Sequence, residues 1–264
     1  MTTPEEHEEK AEEMSAVECA PTEKEELPPF AYAGRLRHFI EKSRVSVQVH
    51  LAHLKKRNRD DQLARDVLPR LVEIEDIIEN SIRASANAHP VWSQWASKTR
   101  RASPLLVGAV LSRADITRLH TVSSMWAHFG FAPGQKRLPG QKITYDPIGR
   151  TWCWRLGDYL LKTSPRFHQV YQTRKDYLTQ RILAGGGKIV PQKRGQKVLE
   201  PNLGALHLHN DALRYMIKTW LACAYIVWRG AEGLSIAEPY AIAHLGHAPE
   251  HKYVPGDFVD SPEP

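Results

Sequence analysis

The stretch from Asp60 to Asn87, DDQLARDVLPRLVEIEDIIENSIRASAN, decides the fold class. Leu63, Val67, Leu71, Ile74, Ile78 and Ile82 recur three and four residues apart, the spacing of one face of an α-helix. Asp60 or Asp61 stands ready to cap its start, and Pro69 falls inside it, where a missing N–H predicts a kink or a restart. The preceding stretch, RLRHFIEKSRVSVQVHLAHLKKRN (35–58), reads as a second long, highly charged helix. The pair predicts an antiparallel hairpin over residues 30–89, buried against the chain's own core or wound with a second copy as a coiled coil.

Downstream, the same reading gives more helices and almost no sheet, so the fold class is all-α. The segment WSQWASKTRRASPLLVGAVLSRAD (92–115) is a basic turn followed by a small-residue apolar helix with Pro104 in its first turn. TVSSMWAHFGF (121–131) reads as a helix stopped by Gly130 and Pro133, and APGQKRLPGQKITYDPIG (132–149) as a polar, basic loop. RTWCWRLGDYLLK (150–162), RFHQVYQTRKDYLTQRIL (166–183) and DALRYMIKTWLACAYIVWR (211–229) are further helices. AGGGKIVPQKRGQK (184–197) is a glycine-rich break, a flexible linker or hairpin tip, that carries Lys188, Lys193, Arg194 and Lys197. Residues 90–243 thus form a helical domain, and 244–264 an irregular tail.

Charge is unevenly distributed. Residues 1–27 hold ten glutamates against Lys10 and Lys24, about −8, so the formal +6 of the chain leaves about +14 on the rest. Residues 1–29 are expected to be a disordered acidic tail, since few aliphatic side chains are present to offset the entropy of ordering. The basic remainder suits a phosphate backbone, an acidic protein or an anionic membrane surface. No apolar run approaches the roughly 18 residues of a membrane span, and the acidic N-terminus is unlike a signal peptide, so a cytoplasmic protein is expected. Cys19, Cys153 and Cys223 form no CxxC pair, which argues against disulfides and a thiolate zinc site. His207 with His209, and His244, His247 and His251, lack an accompanying cysteine or carboxylate set, so no metal is expected. Gly185–Gly187 before Lys188 lacks the rest of a P-loop.

The segment DITRLHTVSSMWAHFGF (115–131), followed by Ala132 and Pro133, resembles a signature of the DEDD-type insertion-sequence transposases and Piv-type DNA invertases. Asp115, Ile116, Arg118, Leu119, Thr121, Val122, Met125, Ala127, His128, Gly130, Phe131 and Pro133 fall in step with it. PLLVGAVLSRAD resembles the second helix of that family's helix-hairpin-helix-like element, and GQKITYDPIGRTWCWRLGDYLL its basic passage. Lys218 and Pro239-Tyr240 match a mid-helix lysine and a Pro-Tyr pair in its closing segment. The resemblance covers roughly residues 90–243. It implies a helical C-terminal transposase domain that acts in DNA recombination and transposition, with a coiled coil before it.

Two departures bear on chemistry. The family's RuvC-like domain supplies four metal-binding acids ahead of the coiled coil, whereas only the acidic tail stands there, so independent nuclease activity is not expected. The family's nucleophilic serine is replaced by Thr121, whose β-branch hinders in-line attack, and Ser123 is near but out of register. Arg101-Ala102-Ser103 replaces the hairpin glycines, which favours side-chain over backbone contacts to phosphate.

The residues expected to grip nucleic acid are Arg100, Arg101, Lys136, Arg137, Lys142, Arg150, Lys188, Lys193, Arg194 and Lys197, with Trp92 and Trp95 placed to stack on bases. The leading expectation is a transposase-derived, mobile-element DNA-binding protein that oligomerises through residues 30–89, with structured RNA as a second ligand. No cofactor is expected, magnesium entering only with a nuclease partner supplied in trans. The alternatives are a strand-transfer enzyme working through Thr121 or Ser123, and a scaffold that binds other proteins.

Overall fold

The computed structural model of the chain describes residues 29–133, 140–237 and 253–260. Among them the architecture is helical throughout, with a single two-residue strand pair. Helices α1 (Pro29–Lys56) and α2 (Gln62–Ala88) form the antiparallel hairpin. Asp61 caps α2, its carboxylate accepting from the Ala64 N–H at 3.0 Å, and Asn58 turns the chain between the helices with φ of 52°. Helix α2 continues unbroken through Pro69, which is exposed, so the carbonyl freed by its missing N–H has access to water. The buried face of α2 runs through Ala64, Glu75, Ile78, Ile82 and Ala86. Leu63, at 73% exposure, and Ile74 lie outside it. The expected stripe therefore keeps Val67 and Leu71 partly buried and loses Leu63 and Ile74 to solvent, and beside Ile74 the cause is ionic. Glu75 is drawn inward by Arg37, at 2.9 Å, and by Arg44.

One end of the hairpin is docked on the body. Helix α4 (Pro104–Leu111) is apolar on every side and buries Val107 to Leu111, as a helix enclosed by neighbours must. It meets α2 at Gly108, where a methyl group would stand 2.8 Å from the Ala86 Cβ and 2.9 Å from Cγ2 of Ile82. Arg37 and Glu41 of α1 face helix α6 (Pro147–Thr163): the Arg37 guanidinium lies 4.8 Å from the Trp152 ring centroid, and Arg155 is bidentate to Glu41 at 2.7 and 3.1 Å.

The core is built around helix α8 (Ala205–Ala231), which buries Leu208, Met216, Trp220, Leu221, Tyr225 and Trp228. Short α3 (Pro90–Gln94), α5 (Val122–His128), α6 and α7 (Pro165–Ala184) pack around it. The segment 115–131 lines this core with Ile116, Leu119, Val122, Met125, Phe129 and Phe131. It is pinned from α8 by Arg229, which donates to the carbonyls of Ile116 and Leu119, and by Tyr225, which donates to His120 O. Strands β1 (Ile189–Val190) and β2 (Leu203–Gly204) pair in parallel, not as a hairpin, because the chain between them loops back over residues 191–202. Part of the expected irregular tail is docked. Phe258 stacks on Phe167 at 5.5 Å, and the Trp95 indole N–H donates to Pro255 O. Cys153 and Cys223 are buried free thiols, and no helix among the described residues is long and apolar enough to cross a membrane.

His89 joins hairpin to body and is sensitive to acid. Its Nδ1 accepts from the Val91 N–H at 3.1 Å, and its ring sits edge-on to Trp228 at 4.5 Å. Burial lowers its pKa from 6.5 to about 4. The unfolded chain therefore takes up a proton before the native one does, and stability present above pH 6.5 drains away as the pH falls toward 4. The expected loss is on the order of 2 kcal/mol after allowance for solvent screening. His89→Asn keeps a capping acceptor and removes the titration. Urea midpoints across this range should flatten in the variant, and an unchanged slope would exclude His89 as the cause.

Candidate nucleic-acid interface

The basic turn Lys98–Arg101 is held by its backbone. The Arg100 N–H donates to Asp260 Oδ2 at 2.7 Å, and the Tyr159 hydroxyl donates to Arg101 O at 2.6 Å. Asp260 also accepts from the Ser164 hydroxyl at 3.0 Å and from the Arg166 N–H, so the turn is fixed to the start of α7. With the main chain tied down, the side chains of Lys98, Arg100 and Arg101 are exposed. Arg101 adopts φ of 52°, a left-handed conformation that residues other than glycine rarely hold.

The second basic element lies at the opposite end of α7. Lys188, Lys193, Arg194 and Lys197 are all exposed. Their loop is an ordered structure closed by internal hydrogen bonds, where a flexible linker or hairpin tip was expected: Lys188 N–H to Asn202 Oδ1 at 2.9 Å, Lys193 N–H to Gln196 Oε1 at 3.0 Å, and Gln192 Nε2 to Gln196 O at 2.8 Å. Among the described residues no carboxylate makes an ion pair with these four cations. The 20 residues of α7 set the two elements about 30 Å apart, so they cannot grip the same phosphate. Lys142 is exposed four residues ahead of Asp146, which caps α6. Lys136 and Arg137 lie outside the described residues, as do Cys19, Pro239, Tyr240, His244, His247 and His251.

Three expected contacts are turned inward. Arg150 is half-buried, donates to Gly130 O, and lies 4.7 Å and 5.4 Å from the Phe131 and Tyr145 ring centroids, so it braces its own fold. Trp95 is 2% exposed, its ring 5.8 Å from Trp220, which leaves no face for a base. Trp92 is half-buried against the same core.

Thr121 begins α5 as the residue of a reciprocal cap. Its hydroxyl accepts from the Ser124 N–H at 3.0 Å, and its own N–H donates to the Ser124 hydroxyl at 3.1 Å. No acid or base among the described residues hydrogen-bonds to Thr121. Ser123 is half-buried in the first turn of the same helix. Asp115 closes a turn, its Oδ1 accepting from Thr117 N and Oγ1 at 3.0 and 2.6 Å. Thr121→Ala should cost about 1 kcal/mol of stability, read as a lower denaturation midpoint, with Thr121→Ser nearly neutral. Equal loss in both variants would show that the hydroxyl is not the feature that matters.

Histidines 207 and 209 do not converge on a metal. His209 Nδ1 is paired with the Tyr171 hydroxyl at 2.8 Å, and His207 is exposed. Among the described residues no group of three or more His, Cys, Asp or Glu side chains is placed to hold a metal ion. One cluster was not foreseen from the sequence: Arg174 of α7 pairs with Asp211 of α8, with Arg214 and Lys218 of α8 beside them. The spacing of the last three was visible, but their meeting with Arg174 needed the packing of two helices. Comparison with family models, curated proteins and solved structures finds no match for this chain.

Proposed function

We propose that the chain binds nucleic acid through its phosphates, as a DNA-binding protein derived from an insertion-sequence transposase, without nuclease activity of its own. The observation that supports this reading best is the Lys188–Lys197 loop. Four exposed cations are carried there on a hydrogen-bonded scaffold, without a paired carboxylate among the described residues. Uncompensated charge on an ordered element is suited to displacing counterions from a phosphate backbone. The exposed turn at Lys98–Arg101 adds a second contact, and the use of Thr121 as a helix cap favours binding over strand transfer.

The same proposal assigns self-association to the hairpin, where Val45, Val49, Leu63, Ile74 and Ile77 are exposed. Sedimentation should show an oligomer that Leu63→Glu with Ile77→Glu dissociates. A monomeric unsubstituted chain would contradict this part.

Binding is tested by presenting the full chain with duplex DNA, branched DNA, structured RNA and polyglutamate at one salt concentration, with magnesium present and strand breakage scored. Retention of a nucleic acid without breakage is expected. Breakage that depends on Thr121 would instead establish a strand-transfer enzyme, and retention of polyglutamate alone would leave a protein scaffold.

A further inference from the structure

We propose that Arg174, Arg214 and Lys218, brought together from two helices with Asp211 as their one neighbouring carboxylate among the described residues, form a binding site for a phosphate group. This goes beyond the surface contacts above, since it is a built cluster on the α7–α8 face and involves none of the residues of the loop or the turn. Arg174 Nε donates to Asp211 Oδ1 at 2.9 Å, while Arg214 approaches the other oxygen at 4.0 Å. Lys218 lies one turn further along α8, its Nζ 3.9 Å above the Trp126 ring centroid, and no carboxylate among the described residues pairs with it. Two arginines thus share one carboxylate, and Lys218 stands beside them without one of its own among the described residues.

The imbalance contrasts with the junction of hairpin and body. The buried Arg37 is met by Glu41, Glu75 and Glu79, and Arg155 is met by Glu41. At the α7–α8 face, by contrast, a surplus of two positive charges is held where solvent is partly excluded. Burial first, and then Arg214 and Arg174, bring the Lys218 ammonium down to about 8, against the pull of Asp211. An anion bound there would offset the mutual repulsion of the three cations.

Phosphate chemistry fits better than a single carboxylate. A surplus of two charges matches a dianion or two successive diesters, and several acceptor oxygens can meet two guanidinium forks and an ammonium from different directions. The flanking groups are aromatic. The Arg174 guanidinium lies 5.4 Å from the Tyr177 ring centroid and 5.2 Å from that of Tyr215, and these rings are 52% and 40% exposed. Open rings beside a cationic site are what a nucleotide or a single strand uses for stacking.

The test is acetylation of the full chain by acetic anhydride, with modification of Lys218 read by mass spectrometry. The reaction is run on the chain alone, with pyrophosphate, with a short oligothymidylate, and with a synthetic peptide of residues 1–27. The oligothymidylate affinity of Lys218→Met and of Arg214→Ala is measured beside it. Methionine keeps the packing on Trp126, and Arg214 is partly exposed, so melting temperatures should hold.

Protection of Lys218 of about tenfold by either phosphate probe is expected. Each variant should lose about tenfold in affinity and about one unit of salt slope. Oligothymidylate that binds without protecting Lys218, and equally well to both variants, overturns the site and leaves the nucleic-acid reading intact. Protection by pyrophosphate with no nucleic acid bound upholds the site and removes that reading. Protection by neither phosphate probe overturns the site, and protection by the acidic peptide alone does so in favour of an acidic segment.

Discussion

Replacing Lys188, Lys193, Arg194 and Lys197 together with glutamine is expected to lower affinity for nucleic acid by about three orders of magnitude near 0.1 M salt. The size follows from counterion release. Each phosphate neutralised contributes roughly 0.9 to the logarithmic salt slope of B-form DNA, so four contacts contribute about 3.6. The loop should survive the change, because its scaffold consists of the Asn202, Gln192 and Gln196 hydrogen bonds and the four cationic side chains take no part in it. An unchanged melting temperature with lost binding is therefore the expected pattern. If affinity falls less than severalfold, the loop is not where phosphates are held.

Arg37→Ala is expected to cost about 3 kcal/mol, the low end of the range for breaking a buried ion pair from one side. Arg37 is a buried cation among Glu41, Glu75 and Glu79, and its removal leaves three carboxylates short of charge. The cost stays at the low end because Arg44 remains on Glu75 and Arg83 on Glu79, at 2.9 Å for the latter. In melting temperature this corresponds to roughly 6–12 °C for a chain of this size. Since Arg37 also packs on Trp152 of α6, the loss should appear as faster hydrogen exchange in α1 and α2 than in α8. Pairing Arg37→Met with Glu75→Met should recover most of the stability, Arg44 then keeping Gln48 at 2.9 Å as its partner. No recovery in the double variant would mean that packing volume, and not charge, sets the cost.

The hairpin was legible in the sequence because two helices with a capped start need only local information, and the all-α class followed from the same periodicity. The α2 face departs from the expected stripe at Leu63 and Ile74. Periodicity assigns glutamate to solvent, and only the approach of Arg37 and Arg44 from α1 makes Glu75 an interior residue. The docking of residues 253–260 was not legible. It has no periodicity and is fixed by hydrogen bonds such as Arg100 to Asp260, spanning 160 residues of sequence. At the interface, exposure of the lysines and arginines of the turn and the loop could be read from their polar surroundings. The inward roles of Arg150 and Trp95 could not, since a cation beside a glycine-rich loop and an indole beside a basic turn look alike whether they face solvent or core. Thr121 shows the reverse case, where a hydroxyl residue three before Ser124 at a helix start already pointed to a cap.

Whether phosphates are the ligand is decided by the association constant of the full chain for one duplex, measured over a series of salt concentrations. A straight fall of log K against log salt is expected, with a slope of about −3.6 or steeper, as four or more phosphate contacts require. Binding that is flat across the series, or absent at the lowest salt, would contradict it.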